Sequence, residues 1–279
     1  MHLSNLKLGG SHSTESNLFG EARMPMGRAF VSGLSYKAQP TGTTAWHSTQ
    51  KVHRGQIERN AIVCYSNSMM RLLIATRNAG KRREYEQLLA APAVGVALCW
   101  PQEMGLGLDV RESGATYLEN ARLKALAHAR ASRLWTLADD SGLEVDALNG
   151  KPGLHSARYG GSAASDVDRY RLLLRRLEGV PWIQRSARFR CVVVLAAPSG
   201  ETHAAEGVCE GMIVLEAKGE HGFGYDPVFY LPGHGRTMAE LPQEVKSRIS
   251  HRARAVEAML PSLNQVLREA VAGGQAWEH

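Results

Sequence analysis

The spacing of apolar positions changes repeatedly after residue 70, and each change marks an element. Leu72-Leu73-Ile74-Ala75 is a short continuous apolar run, the mark of a buried strand. It enters the polar turn Thr76-Arg77-Asn78-Ala79-Gly80-Lys81, and Tyr85, Leu88 and Leu89 then share one side of a helix expected over residues 82–90. Residues 94–100 read as a second strand, and Leu118, Ala121, Ala125 and Ala129 recur at helical spacing between Tyr117 and Arg130. Thr116 and Glu119 form a capping box there, which gives Glu119 a structural role and leaves Lys124 off the packed face. An apolar run from Leu137 delivers Asp139 and Asp140 into Ser141-Gly142, read as a turn. Glu144 to Leu148 alternates and closes on Asn149-Gly150, a hairpin signal. Ser165 caps a helix whose Val167, Tyr170, Leu174 and Leu177 share a face. Two apolar strands over residues 189–197 and 208–215, joined through Pro198-Ser199-Gly200, should pair antiparallel. Thr237 and Glu240 form a second capping box before a helical segment reaching Arg248, and Ser250-His251-Arg252 opens the last helices. The expected fold class is α/β with a mixed sheet.

Residues 1–69 are different: rich in Ser, Thr, Gly and His, with no sustained period. They are expected to be a disordered extension, with residues 70–279 as the folded domain and Met69-Met70 as an alternative start; a transit peptide is the functional alternative for the segment. The charge follows the same division. The chain carries +6 overall, and the first 69 residues hold seven basic and three acidic side chains, leaving a nearly balanced domain. With 6% aromatic residues and no basic stripe, a nucleic-acid platform is not expected, and a small anionic ligand explains local positive residues equally well. The four cysteines lack metal-ligand spacing, and a reducing cytoplasmic setting is expected. No apolar run approaches the roughly 20 residues of a membrane span.

The chemistry concentrates in a few clusters. Adjacent strand residues point to opposite faces, so Asp139 and Asp140 should do different work, while small Ser141-Gly142 permits close approach to the backbone. A capped turn is the plain alternative. Strand, polar turn and helix start make an anion site around Thr76, Asn78 and Lys81, although Arg82 after Lys81 excludes a Walker A loop. Phe223-Gly224-Tyr225-Asp226 offers aromatics flanking a glycine, a slot for a flat base, and His251-Arg252 stand at a helix start.

Taken in order, Thr76-x-Asn78-x-x-Lys81, Glu119-Asn120-Ala121, Ala138-Asp139-Asp140-Ser141-Gly142-Leu143, Pro152-Gly153, Ser156-Ala157-Arg158-Tyr159, Phe223 to Pro227, and Lys246-Ser247-x-Ile249-Ser250-His251-Arg252 resemble the inosine triphosphate pyrophosphatase family. The resemblance runs from about residue 71 to the last helix. It implies an elongated mixed sheet with flanking helices in two lobes around a cleft, and a Mg²⁺-dependent homodimer that hydrolyses non-standard purine triphosphates to the monophosphate and pyrophosphate. Asp140 would activate water. The turn Thr76, Arg77, Asn78, Ala79, Gly80 and Lys81 would hold phosphates with Lys124 nearby, and Ser141, Phe223, Gly224, Tyr225, Asp226, Lys246, His251 and Arg252 would surround base and sugar. One place departs from the family, which usually has Glu-Glu-x-Gly before the second helix, the first acid binding metal; here the sequence is Arg111-Glu112-Ser113-Gly114. The metal would then fall to Asp140 and Glu112, with Arg111 turned away or neutralising phosphate. A nucleotide-binding protein weakened in turnover by Arg111 is the alternative function.

Overall fold

The computed structural model describes residues 70–89 and 96–272; the extension expected over residues 1–69 and the ends of two expected elements, residues 90 and 94–95, lie outside them. Eight strands form one mixed sheet in the order β2-β1-β3-β5-β6-β7-β8, with β4 paired to β3. Strands β1 (Met70–Ile74) and β2 (Val96–Cys99) are parallel, as are β1 and β3 (Thr136–Val145). Strand β4 (Lys151–Pro152), the long hairpin β5 (Ser186–Ala196) and β6 (Thr202–Ile213), and the short β7 (Phe229–Leu231) and β8 (Arg236–Thr237) pair antiparallel. The expected antiparallel pair is present, but β6 begins at Thr202 rather than 208. Its first half, Thr202-His203-Ala204-Ala205-Glu206-Gly207, has Thr202 as its one β-branched residue and is recruited by pairing with Cys191 to Ala196.

Helices α1 (Ala79–Leu89) and α5 (His251–Ala272) share an apolar cluster built on Leu72, Ile74, Tyr85, Leu137, Val193, Met259 and Leu263. Glycine at 207 is required there, since a Cβ would lie 2.2 Å from the His251 carbonyl oxygen and 2.3 Å from the Ala255 nitrogen. Helix α2 (Tyr117–Ser132) lays Ala121, Ala125 and Ala129 on the opposite face, over Ala138, Val192, Val194 and Ala196. Small side chains on both partners let helix and sheet approach closely. Leu118, expected on that face, is 41% exposed, and Tyr117 and Asn120 are buried instead.

A third cluster gathers Leu143, Val145, Phe189, Ile213 and Phe229 with Leu173 and Leu177 at helix α3 (Asp166–Arg176). Ser165 caps α3 with Asp168 completing the box. The Thr237/Glu240 box is also present but caps a short 3-10 turn, and α4 (Gln243–Ile249) follows as a separate helix. The Thr116 hydroxyl accepts from the Glu119 amide, while the Glu119 carboxylate reaches the Ala115 amide at 2.6 Å, so the first expected box is closed one residue early.

The apolar clusters divide β3. Leu137 and Ala138 belong to the first two cores and Leu143 to the third, leaving Asp139-Asp140-Ser141-Gly142 between them. Ser141-Gly142 is therefore strand, not turn. Its close approach serves the protein: a Cβ at Gly142 would meet the Gly153 carbonyl oxygen at 2.3 Å and the Tyr117 hydroxyl at 2.7 Å. Ser156 locks that contact, its hydroxyl donating to the Gly153 oxygen at 2.6 Å and accepting from the Leu143 amide at 2.8 Å.

Candidate active site

The β3 alternation sends the two aspartates apart, as expected. Asp139, on the face shared with Leu137, takes Lys81 Nζ at 2.8 Å and Arg252 Nη2 at 3.0 Å, and Cys191 Sγ lies 3.7 Å away. Burial opposes its ionisation, but Lys81, Arg252 and Lys124 outweigh this and hold its carboxyl well below the usual range. Asp140, on the α2 face, accepts Asn120 Nδ2 at 3.0 Å and its own neighbour's amide, Ser141, at 2.9 Å. Here burial wins over Lys124, Lys81 and the Asn120 bond, and Glu112 adds to it, so the carboxyl is raised. One carboxylate is locked into ion pairs; the other is poised to accept a proton.

A cleft of about 240 Å³ joins Asp140 to most of the expected residues: Asn78, Lys81, Glu112, Lys124, Ser141, Phe223, Gly224, Tyr225, Asp226, Lys246, His251 and Arg252. Ligand pockets usually run from roughly 300 to 1,000 Å³, so a purine triphosphate would extend into the open mouth. Four expected residues are not brought into it. Arg77 is exposed and donates to the Leu108 carbonyl, Ala79 is exposed, and Gly80 is buried beneath the Phe223 ring, where a Cβ would fall 2.6 Å from ring carbons. The Thr76 hydroxyl accepts the Asn78 amide at 3.2 Å, and Asn78 Oδ1 in turn accepts the Lys81 amide at 3.0 Å. These two residues shape the start of α1.

A buried chain of charges underlies the cleft. Glu84 joins Lys246 at 2.7 Å to Arg252, and Lys246 reaches Asp226 at 2.5 Å. Burial opposes the Glu84 charge, yet Arg252 and Lys246 bring its carboxyl down to about 2. Asp226 goes the other way, raised because burial exceeds the help of Lys246. His251 stacks on Phe189 with ring centroids 4.7 Å apart, and its Nδ1 is buried without a partner. Burial and then Arg252 push its pKa well below the usual value, so the ring is neutral near pH 7. The Phe223 ring has Lys246 Nζ 4.8 Å from its centroid.

Glu112 lines the cleft and accepts Lys124 Nζ at 2.7 Å, whereas Arg111 is exposed and outside the lining. Of the two placements left open for Arg111, the structure has it turned away. Among the described residues no group of three or more His, Cys, Asp or Glu could hold a metal by itself. Two carboxylates do suit Mg²⁺, which commonly takes one or two plus water and substrate phosphate. The charge balance agrees: Lys81, Lys124, Arg158, Arg169, Lys246 and Arg252 face Glu84, Glu112, Asp140, Asp166 and Asp226, which leaves little positive charge for a triphosphate without a cation.

Sequence reasoning missed three site residues. Glu84 carries no motif, yet it lies three residues after Lys81 and is buried with Tyr85 on α1. Asn120 was seen only as part of a motif, although its position beside Ala121 on the packed face marked it as a buried polar group. Asp166 follows a cap and gave no signal of its own.

Residues 72–262 match the Ham1 family. The chain belongs to the Ham1 family. Relatives of this Ham1 chain include a dITP/XTP pyrophosphatase from Geobacillus kaustophilus, 49% identical over 207 residues that cover 74% of this chain and 98% of the relative. Another is a dITP/XTP pyrophosphatase from Methylococcus capsulatus, 48% identical, covering 69% of this chain and 96% of the relative. The structure of the Staphylococcus aureus Ham1 protein is similar with a TM-score of 0.63 at 40% identity, over 70% of this chain and 99% of that one. A HAM1 protein from Coxiella burnetii gives the same TM-score and identity, over 72% and 100%. The family resemblance and the mixed α/β fold with flanking helices are thereby borne out for the Ham1 domain.

Proposed function

We propose that this chain hydrolyses non-standard purine nucleoside triphosphates, namely ITP, dITP and XTP, to the monophosphate and pyrophosphate. It is a hydrolase of the nucleoside triphosphate anhydride bond. The observation that carries the reading is the Asp140 carboxylate, held by the Asn120 amide and the Ser141 backbone and lining, with Lys81 and Lys124, a cleft that continues to Phe223 and His251. Asp140 takes a proton from water as its oxygen bonds to the α-phosphorus; the bond from that phosphorus to the bridging oxygen breaks, and pyrophosphate leaves with the electron pair. Lys81, Lys124 and the Asn78 turn meet the oxygens that gain charge. Asn120 keeps the acceptor aimed, since its own Oδ1 is fixed by the Gly114 amide at 2.8 Å. Mg²⁺, held by Asp140 and Glu112, would neutralise phosphate oxygens when bound.

The purine would stack on Phe223, with Gly224, Tyr225, Asp226, Lys246, Ser141, His251 and Arg252 around base and sugar. A neutral His251 suits this role, because it can donate or accept according to tautomer without a charge to desolvate. We further infer a homodimer working in the cytoplasm on nucleotides rather than on nucleic acid. Among the described residues no helix is long and apolar enough to cross a membrane. The alternative, a binder weakened by Arg111, has less support, because that side chain is exposed and outside the cleft lining. Release of pyrophosphate from ITP, XTP, GTP and ATP with Mg²⁺ decides between them. Turnover of ITP and XTP well above GTP and ATP is expected; binding of ITP without pyrophosphate release would establish the alternative.

A further inference from the structure

Phe223 sits between two glycines with left-handed backbones, Gly222 at φ 80° and Gly224 at φ 65°. Glycine's freedom makes such a stretch costly to hold in one shape. The Phe223 amide donates to Asp226 Oδ2 at 2.9 Å, a bond internal to the loop. The Gly224 amide donates instead to Asp166 Oδ2, 2.8 Å away and 58 residues earlier in the chain. Among the described residues the other backbone hydrogen bonds of residues 222–226 come from within the loop or from Val228 and Phe229 directly after it.

Asp166 is the first residue of α3, but α3 does not need it as a cap, because Ser165 and Asp168 form a complete box without it. Its other oxygen accepts Arg169 Nη1 at 2.6 Å, one turn along, so the carboxylate is aimed by a second bond. An ionised acceptor makes roughly twice as strong a bond as a neutral one. Both Asp166 and Arg169 line the same cleft as Phe223.

The geometry points to Asp166 as a positioning residue that fixes the Phe223-Gly224 backbone and thereby sets how the Phe223 ring meets the purine. This rests on the reading of Phe223 as the base-stacking ring and extends control of base affinity to α3. An interaction that only presents the ring acts alike on bound substrate and transition state, so its loss appears in KM rather than kcat.

Steady-state kinetics with ITP on Asp166→Ala, Asp166→Asn, Phe223→Ala and the Phe223→Ala/Asp166→Ala pair test it. Asp166→Ala raises KM about tenfold with kcat within about twofold, and Asp166→Asn, which keeps an oxygen acceptor, stays within about threefold of the parent KM. In the Phe223→Ala background Asp166→Ala adds no further increase, because both changes remove the same contact. The melting temperature of Asp166→Ala stays within about 3 °C of the parent, since the α3 cap is intact. An unchanged KM in Asp166→Ala beside a raised KM in Phe223→Ala overturns the latch alone. So do additive KM effects in the pair, failure of Asp166→Asn to restore KM, or a fall in melting temperature with no KM change. An unchanged KM in Phe223→Ala overturns the base-stacking reading and the latch with it.

Discussion

Glu84→Gln removes one negative charge while leaving side-chain volume almost unchanged. In the folded protein Glu84 is 5% exposed and bridges Lys246 and Arg252, themselves 2% and 1% exposed. Lys81, Lys246 and Arg252 are balanced there by Asp139, Glu84 and Asp226, so the amide leaves one buried positive charge without a partner. The cost can be reached in two ways. The Glu84 carboxyl falls from an ordinary 4.5 to about 2 on folding, which at about 1.4 kcal/mol per unit corresponds to about 3 kcal/mol. Removing one partner of a buried ion pair independently costs about 3–5 kcal/mol. For a domain of this size that lowers the melting temperature by roughly 6–20 °C. A carboxyl whose pKa is lower folded than unfolded is more ionised in the folded state, so its stabilisation is complete above pH 4.5 and disappears as pH falls toward 2. Urea unfolding of parent and variant between pH 7 and pH 4 should show a gap that is full at neutral pH and begins to close near pH 4.5. A gap under about 1 kcal/mol at pH 7, or one that widens on acidification, refutes the argument.

Three further outcomes follow from the site and its surroundings. Asp140→Asn lowers the ITP turnover number by on the order of 10²- to 10⁴-fold while ITP still binds, because an amide cannot take the proton; turnover within threefold of the parent would remove Asp140 from its role. Arg111→Glu places an acid beside Glu112 and should lower the Mg²⁺ concentration for half-maximal rate at saturating ITP, a direction that reverses if Arg111 serves phosphate instead. Gly142→Ala drives a methyl into the Gly153 carbonyl and costs about 3 kcal/mol or more, since backbone on both sides resists movement; thermal unfolding within 2 °C of the parent would show that the loop yields.

Much of this was legible in the sequence where local pattern and tertiary context agree. The β1 run, the turn at Asn78, the Ser165 cap and the opposed directions of Asp139 and Asp140 follow from period and short-range hydrogen bonding, which no distant contact overrides. The motif order also collected in one cleft side chains as distant as Asn78 and Arg252. Failures came where a remote partner decides. Ser141-Gly142 has turn composition but lies in a strand because Cys191 and Arg190 of β5 pair opposite it. Leu118 yielded the packed face to Tyr117, whose hydroxyl lies at the Gly142–Gly153 contact. Glu84 was not singled out, because its two cations are more than 160 residues away in the chain and nothing within α1 signals their approach.

The bare backbone of Gly207 has a consequence for accuracy. With no side chain between β6 and the start of α5, the carbonyl of His251 rests against the sheet, so the helix start that carries His251 and Arg252 is seated directly on β6. Were His251 and Arg252 to meet the base, a wall seated this closely would convert a wrong exocyclic group into lost affinity instead of absorbing it through relaxation.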